Sequence, residues 1–138
     1  MKNFFYLFSL VLILTVACKK DTVVVNAGIY RGVFYYISTA SSDTLNEGVC
    51  NLAIFDKKKN FSLSGDTATG IPKSCSGFYN IDETTITFVK TSESGEFFFD
   101  KNLELDTVYS YTFSDTASTF DMYLKTDTYT YSYRLNRN

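Results

Sequence analysis

The chain reads as an all-β domain: an antiparallel up-and-down meander of about eight strands closing into a barrel, with an open two-sheet β-sandwich as the runner-up. Three observations predict this. From Gly28 onward apolar and polar residues alternate in twos, the period of a strand with one face on a core and the other in water. Clusters of Asp, Ser, Thr and Lys interrupt the alternation every ten or so residues, as turns between short strands do. No stretch of this part carries an apolar stripe at helical spacing.

The first element is not part of that domain. Lys2 precedes a run from Phe4 to Ala17 broken only by Ser9 and Thr15. Such a run has signal-peptide length and is too short to cross a bilayer comfortably as a permanent helix. Residues 1–17 are therefore expected to be removed. The junction Val16-Ala17-Cys18 resembles the lipobox of bacterial lipoproteins, with Thr15 where that family usually has Leu, Val or Ile. The resemblance implies that Cys18 receives lipid, becomes the new N-terminus and anchors the protein to a membrane. Ordinary secretory cleavage is the alternative, because Thr15-Val16-Ala17 also satisfies a small-x-small rule. Residues 18–27 then form a lipidated tether, whose Val23-Val24-Val25 could pair as an edge strand, and residues 28–136 form the barrel domain.

Without residues 1–17 the chain has 12 basic and 15 acidic side chains. That is one domain, large enough to bury a core unaided. It lacks the basic face that nucleic-acid binding needs, and no nucleic-acid partner is expected. The one basic run after the tether, Lys57-Lys58-Lys59, reads as a solvated hairpin turn.

Three cysteines are an odd number for an exported chain. Assigning Cys18 to lipid leaves Cys50 and Cys75 as a pair, whose disulfide would stabilise the fold by ~3.5 kcal/mol through loop closure. Two buried free thiols are the alternative, since spacing does not show that the Cα atoms come within bridging distance.

The strands follow in order: Ile29 to Ser38, Val49 to Phe55, Asn60 to Ser64, Ser74 to Ile81, Thr84 to Lys90, Thr107 to Phe113, Thr119 to Lys125 and Tyr129 to Asn136. The last shows the pattern most plainly. Tyr129, Tyr131, Tyr133 and Leu135 share one face, and Thr130, Ser132, Arg134 and Asn136 the other. Asp56 to Lys59, Asp82-Glu83, Ser114 to Ser118 and Thr126 to Thr128 are hairpin-length connections. Longer polar loops are expected at Thr39 to Gly48, Gly65 to Lys73 and Thr91 to Asp106, the last containing Phe97-Phe98-Phe99.

Gly28-Ile29-Tyr30-Arg31-Gly32-Val33-Phe34, Gly77-Phe78-Tyr79-Asn80-Ile81, Tyr109-Ser110-Tyr111-Thr112-Phe113 and the terminal Tyr133-Arg134-Leu135 together resemble the small lipocalin-like domains of bacterial lipoproteins. Gly28-Ile29-Tyr30 stands where classical lipocalins have Gly-x-Trp. The resemblance implies a lipocalin-like barrel. Lys19-Lys20-Asp21 likewise looks like the short charged signals that route lipoproteins to the outer membrane or cell surface in some Gram-negative groups.

Catalytic patterns are absent. Without histidine there is no Ser-His-Asp or Cys-His machinery and no usual zinc site. The acidic residues suggest no converging pair of the kind a glycosidase needs. Asp100, Glu104 and Asp106 carry hard oxygen donors without EF-hand spacing, so no metal site is assigned. Gly65-Asp66-Thr67-Ala68-Thr69-Gly70 lacks the Lys and flanking helix of a phosphate loop. The remaining signal is aromatic. Tyrosine joins an apolar ring to a hydrogen-bonding tip, so Tyr109, Tyr111, Tyr131 and Tyr133 are candidates to line a cavity for a small apolar or amphipathic ligand, or simply to fill the core. The expectation is a non-catalytic, cofactor-free binding protein. The alternative is an accessory scaffold with a filled barrel, contacting another envelope protein through Thr39 to Gly48 and Thr91 to Asp106.

Overall fold

A computed structural model describes residues 25–93, 103–114 and 118–138. Within them run eight strands: β1 (Gly28–Ser38), β2 (Thr44–Phe55), β3 (Asn60–Ser64), β4 (Cys75–Ile81), β5 (Thr85–Glu93), β6 (Val108–Phe113), β7 (Thr119–Lys125) and β8 (Tyr129–Arg137). Each pairs antiparallel with the next and β8 returns to β1, closing an up-and-down barrel. The sandwich is thereby excluded. Closure removes the exposed edges that an open sheet would present.

Alternation builds the interior as expected. Tyr131, Tyr133 and Leu135 of β8 are buried while Arg134 between them is exposed. Phe61 and Leu63 of β3 and Phe120 and Met122 of β7 point inward in the same way. The cluster also takes in Val25, fully buried before β1, and Leu105, fully buried between β5 and β6.

Two boundaries differ from expectation. Residues 44–48 are strand, paired with Phe34 to Ile37 across an irregularity at Tyr36/Ile37, so the first long loop shrinks to 39–43. Thr44 to Glu47 are exposed in succession. A strand segment wet on both faces has no alternation to betray it. Likewise β5 continues through Thr91, Ser92 and Glu93, with Ser92 paired to Ser76. Phe97-Phe98-Phe99, Val23, Val24 and Cys18 lie outside the described residues.

The connections sort by end. Segments 39–43 and 65–74 and residues 103–107 gather at what we term the loop end, with the short 126–128 turn. The 56–59 and 82–84 connections and the strand ends at Ser114 and Ser118 gather at the opposite, turn end, as do residues 25–27 and 137–138. Pairing is uneven around the wall. The β1–β2 ladder runs from Gly28↔Ile54 to Ile37↔Thr44, whereas β5–β6 covers only Thr85↔Ser110 to Thr87↔Val108.

Candidate functional site

The interior toward the loop end concentrates the polar chemistry. A column of rings crosses it: Phe61 meets Phe88 at 4.9 Å between centroids, Phe88 meets Tyr109 at 6.1 Å, Tyr109 meets Tyr133 at 5.8 Å, and Tyr133 meets Phe34 at 4.8 Å. Most are tilted or edge-on, the arrangement ring quadrupoles favour. The Tyr133 hydroxyl is buried and makes no hydrogen bond of good geometry. Tyr109 lies beside it, but the Tyr109 hydroxyl reaches instead to the Glu104 carbonyl oxygen at 3.4 Å. Burial first, then Tyr109 and the thiols of Cys50 and Cys75, hold the Tyr133 hydroxyl well above the usual phenol range.

Those two cysteines are free thiols, 1% and 5% exposed, and the expected disulfide is not formed. The register explains this. Cys75 of β4 pairs with Leu63 of β3, which pairs with Leu52 of β2, and Cys50 lies two residues further along β2. Two strand spacings separate the Cα atoms by about 9 Å or more, beyond the ~7 Å limit for a bridge. Burial pushes the Cys50 thiol up to about 12 and, chiefly by the same cause, Cys75 up to about 11. Thiols with so little thiolate resist oxidation, so an exported protein can keep them. The parity argument that favoured lipid on Cys18 loses its force, and the Val16-Ala17-Cys18 junction carries that expectation alone.

A short segment closes this end. The Lys73 amide donates to the Leu103 carbonyl (3.1 Å), the Phe88 amide to the Thr107 carbonyl (2.9 Å), and the Lys90 amide to Asp106 Oδ1 (2.9 Å). Leu105 is thereby set into the core, its own amide bonded to the Cys75 sulfur. Glu104, 4% exposed, faces Lys73 Nζ at 3.2 Å and forms a short contact with Lys90 Nζ. Gly48 and Gly65 make room for the neighbouring chain: a Cβ on either would lie within 2 Å of the Ile71 or Pro72 carbonyl oxygen.

The four candidate tyrosines do not form one site. Tyr109 and Tyr133 meet in the middle. Tyr131 stacks on Tyr36 (5.3 Å), which also meets Tyr129 (4.8 Å), nearer the loop end. Tyr111 sits at the turn end, packed on Phe113 and Phe120, its hydroxyl donating to the Asp82 carbonyl at 2.6 Å. Sequence reasoning missed Tyr36, Lys73, Lys90 and the position of Glu104. Tyr36 shares the inward parity of Tyr30 and Phe34 and was findable; the charges lie in or beside polar loops and look solvated. Among the described residues no group of acidic and cysteine side chains could hold a metal ion. No protein-family model matches the chain, and no curated protein matches it.

Proposed function

We propose that the protein is a lipid-anchored, non-catalytic component of a Gram-negative envelope, held at the outer membrane by Cys18, whose barrel takes a small apolar or amphipathic ligand. The observation that carries the ligand is the Tyr133 hydroxyl, sealed in an aromatic interior with no hydrogen bond of good geometry. An unmet polar group of this kind costs about 1–3 kcal/mol, which a ligand acceptor could recover. The surroundings suit that ligand: rings for its apolar part, and one hydroxyl beside two protonated thiols for a polar tip. Closed eight-stranded barrels of this size are either just filled or hold one small molecule. The resemblance to lipocalin-like lipoprotein domains supports the same reading.

A second reading rests on the ring column itself. If those aromatics fill the interior, the barrel is a scaffold that contacts another envelope protein through residues 39–43 and the chain around Leu103 to Thr107. Native mass spectrometry separates the two. Protein recovered from its own membrane and sprayed intact is expected to carry an extra mass that denaturation releases and that Tyr133→Phe weakens. A clean apo mass would refute ligand binding and leave the scaffold.

A further inference from the structure

The outer wall is not uniformly polar. By register, Phe55 of β2 lies beside Asn60 of β3, Asn60 beside Phe78 of β4, and Phe78 beside Val89 of β5, with Phe55, Phe78 and Val89 on the solvent face and Asn60 half-buried between them. Phe55, Phe78 and Val89 are 54%, 51% and 53% exposed, and Ile29, beside Ala53 two residues from Phe55, is 54% exposed. The far wall is more polar: Ser110, Thr112, Asp121, Ser132 and Arg134 occupy outward positions there, with Val108 and Tyr123 the large apolar exceptions, while Leu45 and Val49 are exposed on β2 nearer the loop end. The apolar row starts at the turn-end rim, where the Asp56–Lys58 turn and Lys59 follow Phe55 directly. Lys59 is held by Asp56 at 2.7 Å and lies over the Tyr79 ring, while Lys57 and Lys58 are exposed. Besides Asp56, the acidic groups of this rim among the described residues, Asp82 and Glu83, belong to the next turn, and the Asp82 carboxylate accepts from the Thr84 and Thr85 amides.

The N-terminal segment arrives at the same place. Gly28 pairs with Ile54, which sets Ala27 alongside Phe55; Arg137 Nη2 donates to the Ala27 carbonyl at 2.9 Å, and Val25 is buried. Val25 is seven positions beyond Cys18, a reach of at most about 25 Å.

We infer that the turn-end rim and adjoining wall, Ile29, Phe55, Lys57, Lys58 and Phe78, seat on an anionic phospholipid surface, with the loop end facing away from the membrane. This rests on the reading that Cys18 anchors the chain. Half-exposed aromatic and aliphatic side chains flanked by lysines suit the boundary between headgroups and acyl chains, and the lysines add attraction to anionic lipid.

The test uses the lipidated chain in vesicles, with a fluorophore on Asn80→Cys beside the row or on Ala40→Cys at the loop end; buried Cys50 and Cys75 do not compete for label. In phosphatidylglycerol vesicles a headgroup-borne quencher is expected to dim the residue 80 label severalfold more than the residue 40 label. The contrast is expected to shrink in neutral phosphatidylcholine, in K57E/K58E and in F55S/F78S. Equal quenching at the two positions overturns the proposal, as does a contrast that survives both double variants, which the tether alone would explain. The mass of the N-terminal peptide reads the anchor separately. If that mass shows no lipid, the anchor reading fails, and partition of the released chain decides the surface: K57E/K58E is expected to lower partition onto anionic vesicles by about tenfold or more, and no change overturns it.

Discussion

The two ends of the barrel are held by different physics. At the turn end each connection is fixed by groups a few residues apart: Asp82 caps Thr84 and Thr85, Ser114 accepts from Ser118 and Thr119, and Lys59 adopts a left-handed conformation closed by its bond to Asp56. At the loop end Asp66 and Thr126 make similar local caps, but the segment from Leu103 to Thr107 adds contacts that are distant in sequence and largely buried. Glu104 faces lysines of two other segments, and Leu105 reaches the core. Local capping is solvated and cheap to lose; a buried charge cluster is not, because removing one member strands the others in low dielectric.

Substitutions sharpen that contrast. The largest effect is expected from Glu104→Gln, which leaves the buried Lys73 and the partly buried Lys90 ammonium groups facing an amide and costs about 3–5 kcal/mol, read as a lowered denaturation midpoint that Lys73→Met partly restores. Leu105→Ala follows at about 2–4 kcal/mol, the cost of emptying a core leucine site. The thiols give a pH signature. Cys50 and Cys75 ionise in the folded protein only at about 12 and about 11, against about 9 in the unfolded chain. The unfolded state therefore loses protons first, and stability is expected to fall as pH rises from about 9 toward 12; Cys50→Ala is expected to flatten that decline in denaturation titrations.

At the turn end, Asp82→Ala is expected to lower the midpoint less than either core change. Amide and hydroxyl donors hold the Asp82 carboxyl down to about 2. Its contribution is thus present above pH 4 and lost as pH falls toward 2, so the variant's deficit is expected to vanish in acid. Tyr133→Phe is expected to run the other way and leave the midpoint unchanged or slightly raised, because it removes a buried hydroxyl that makes no hydrogen bond of good geometry.

Alternation carried most of the fold, since the eight inward faces must be apolar whatever lies above or below them. It failed where a segment has no dry face, as at Thr44 to Glu47. It also fixed which tyrosines point inward without fixing their height along the axis, so Tyr111 was grouped with Tyr133 although it lies at the other end. Height and cross-barrel neighbours come from register. The same gap explains Cys50 and Cys75, whose number suggested a bond that an intervening strand forbids, and Glu104, whose lysines come from segments far away in the chain.

Closure between the first and last strands has a consequence for how the chain reaches this state. The Tyr30↔Arg137 to Ser38↔Tyr129 ladder joins residues 91 to 107 positions apart. Until β8 is available, β1 and β7 are both unpaired edges beside exposed aromatic faces, the situation most open to pairing with a neighbouring molecule. Folding is therefore gated by β8, the last of the eight barrel strands to be synthesised. Loss of the last strand would yield a sticky open sheet in place of a slightly smaller barrel.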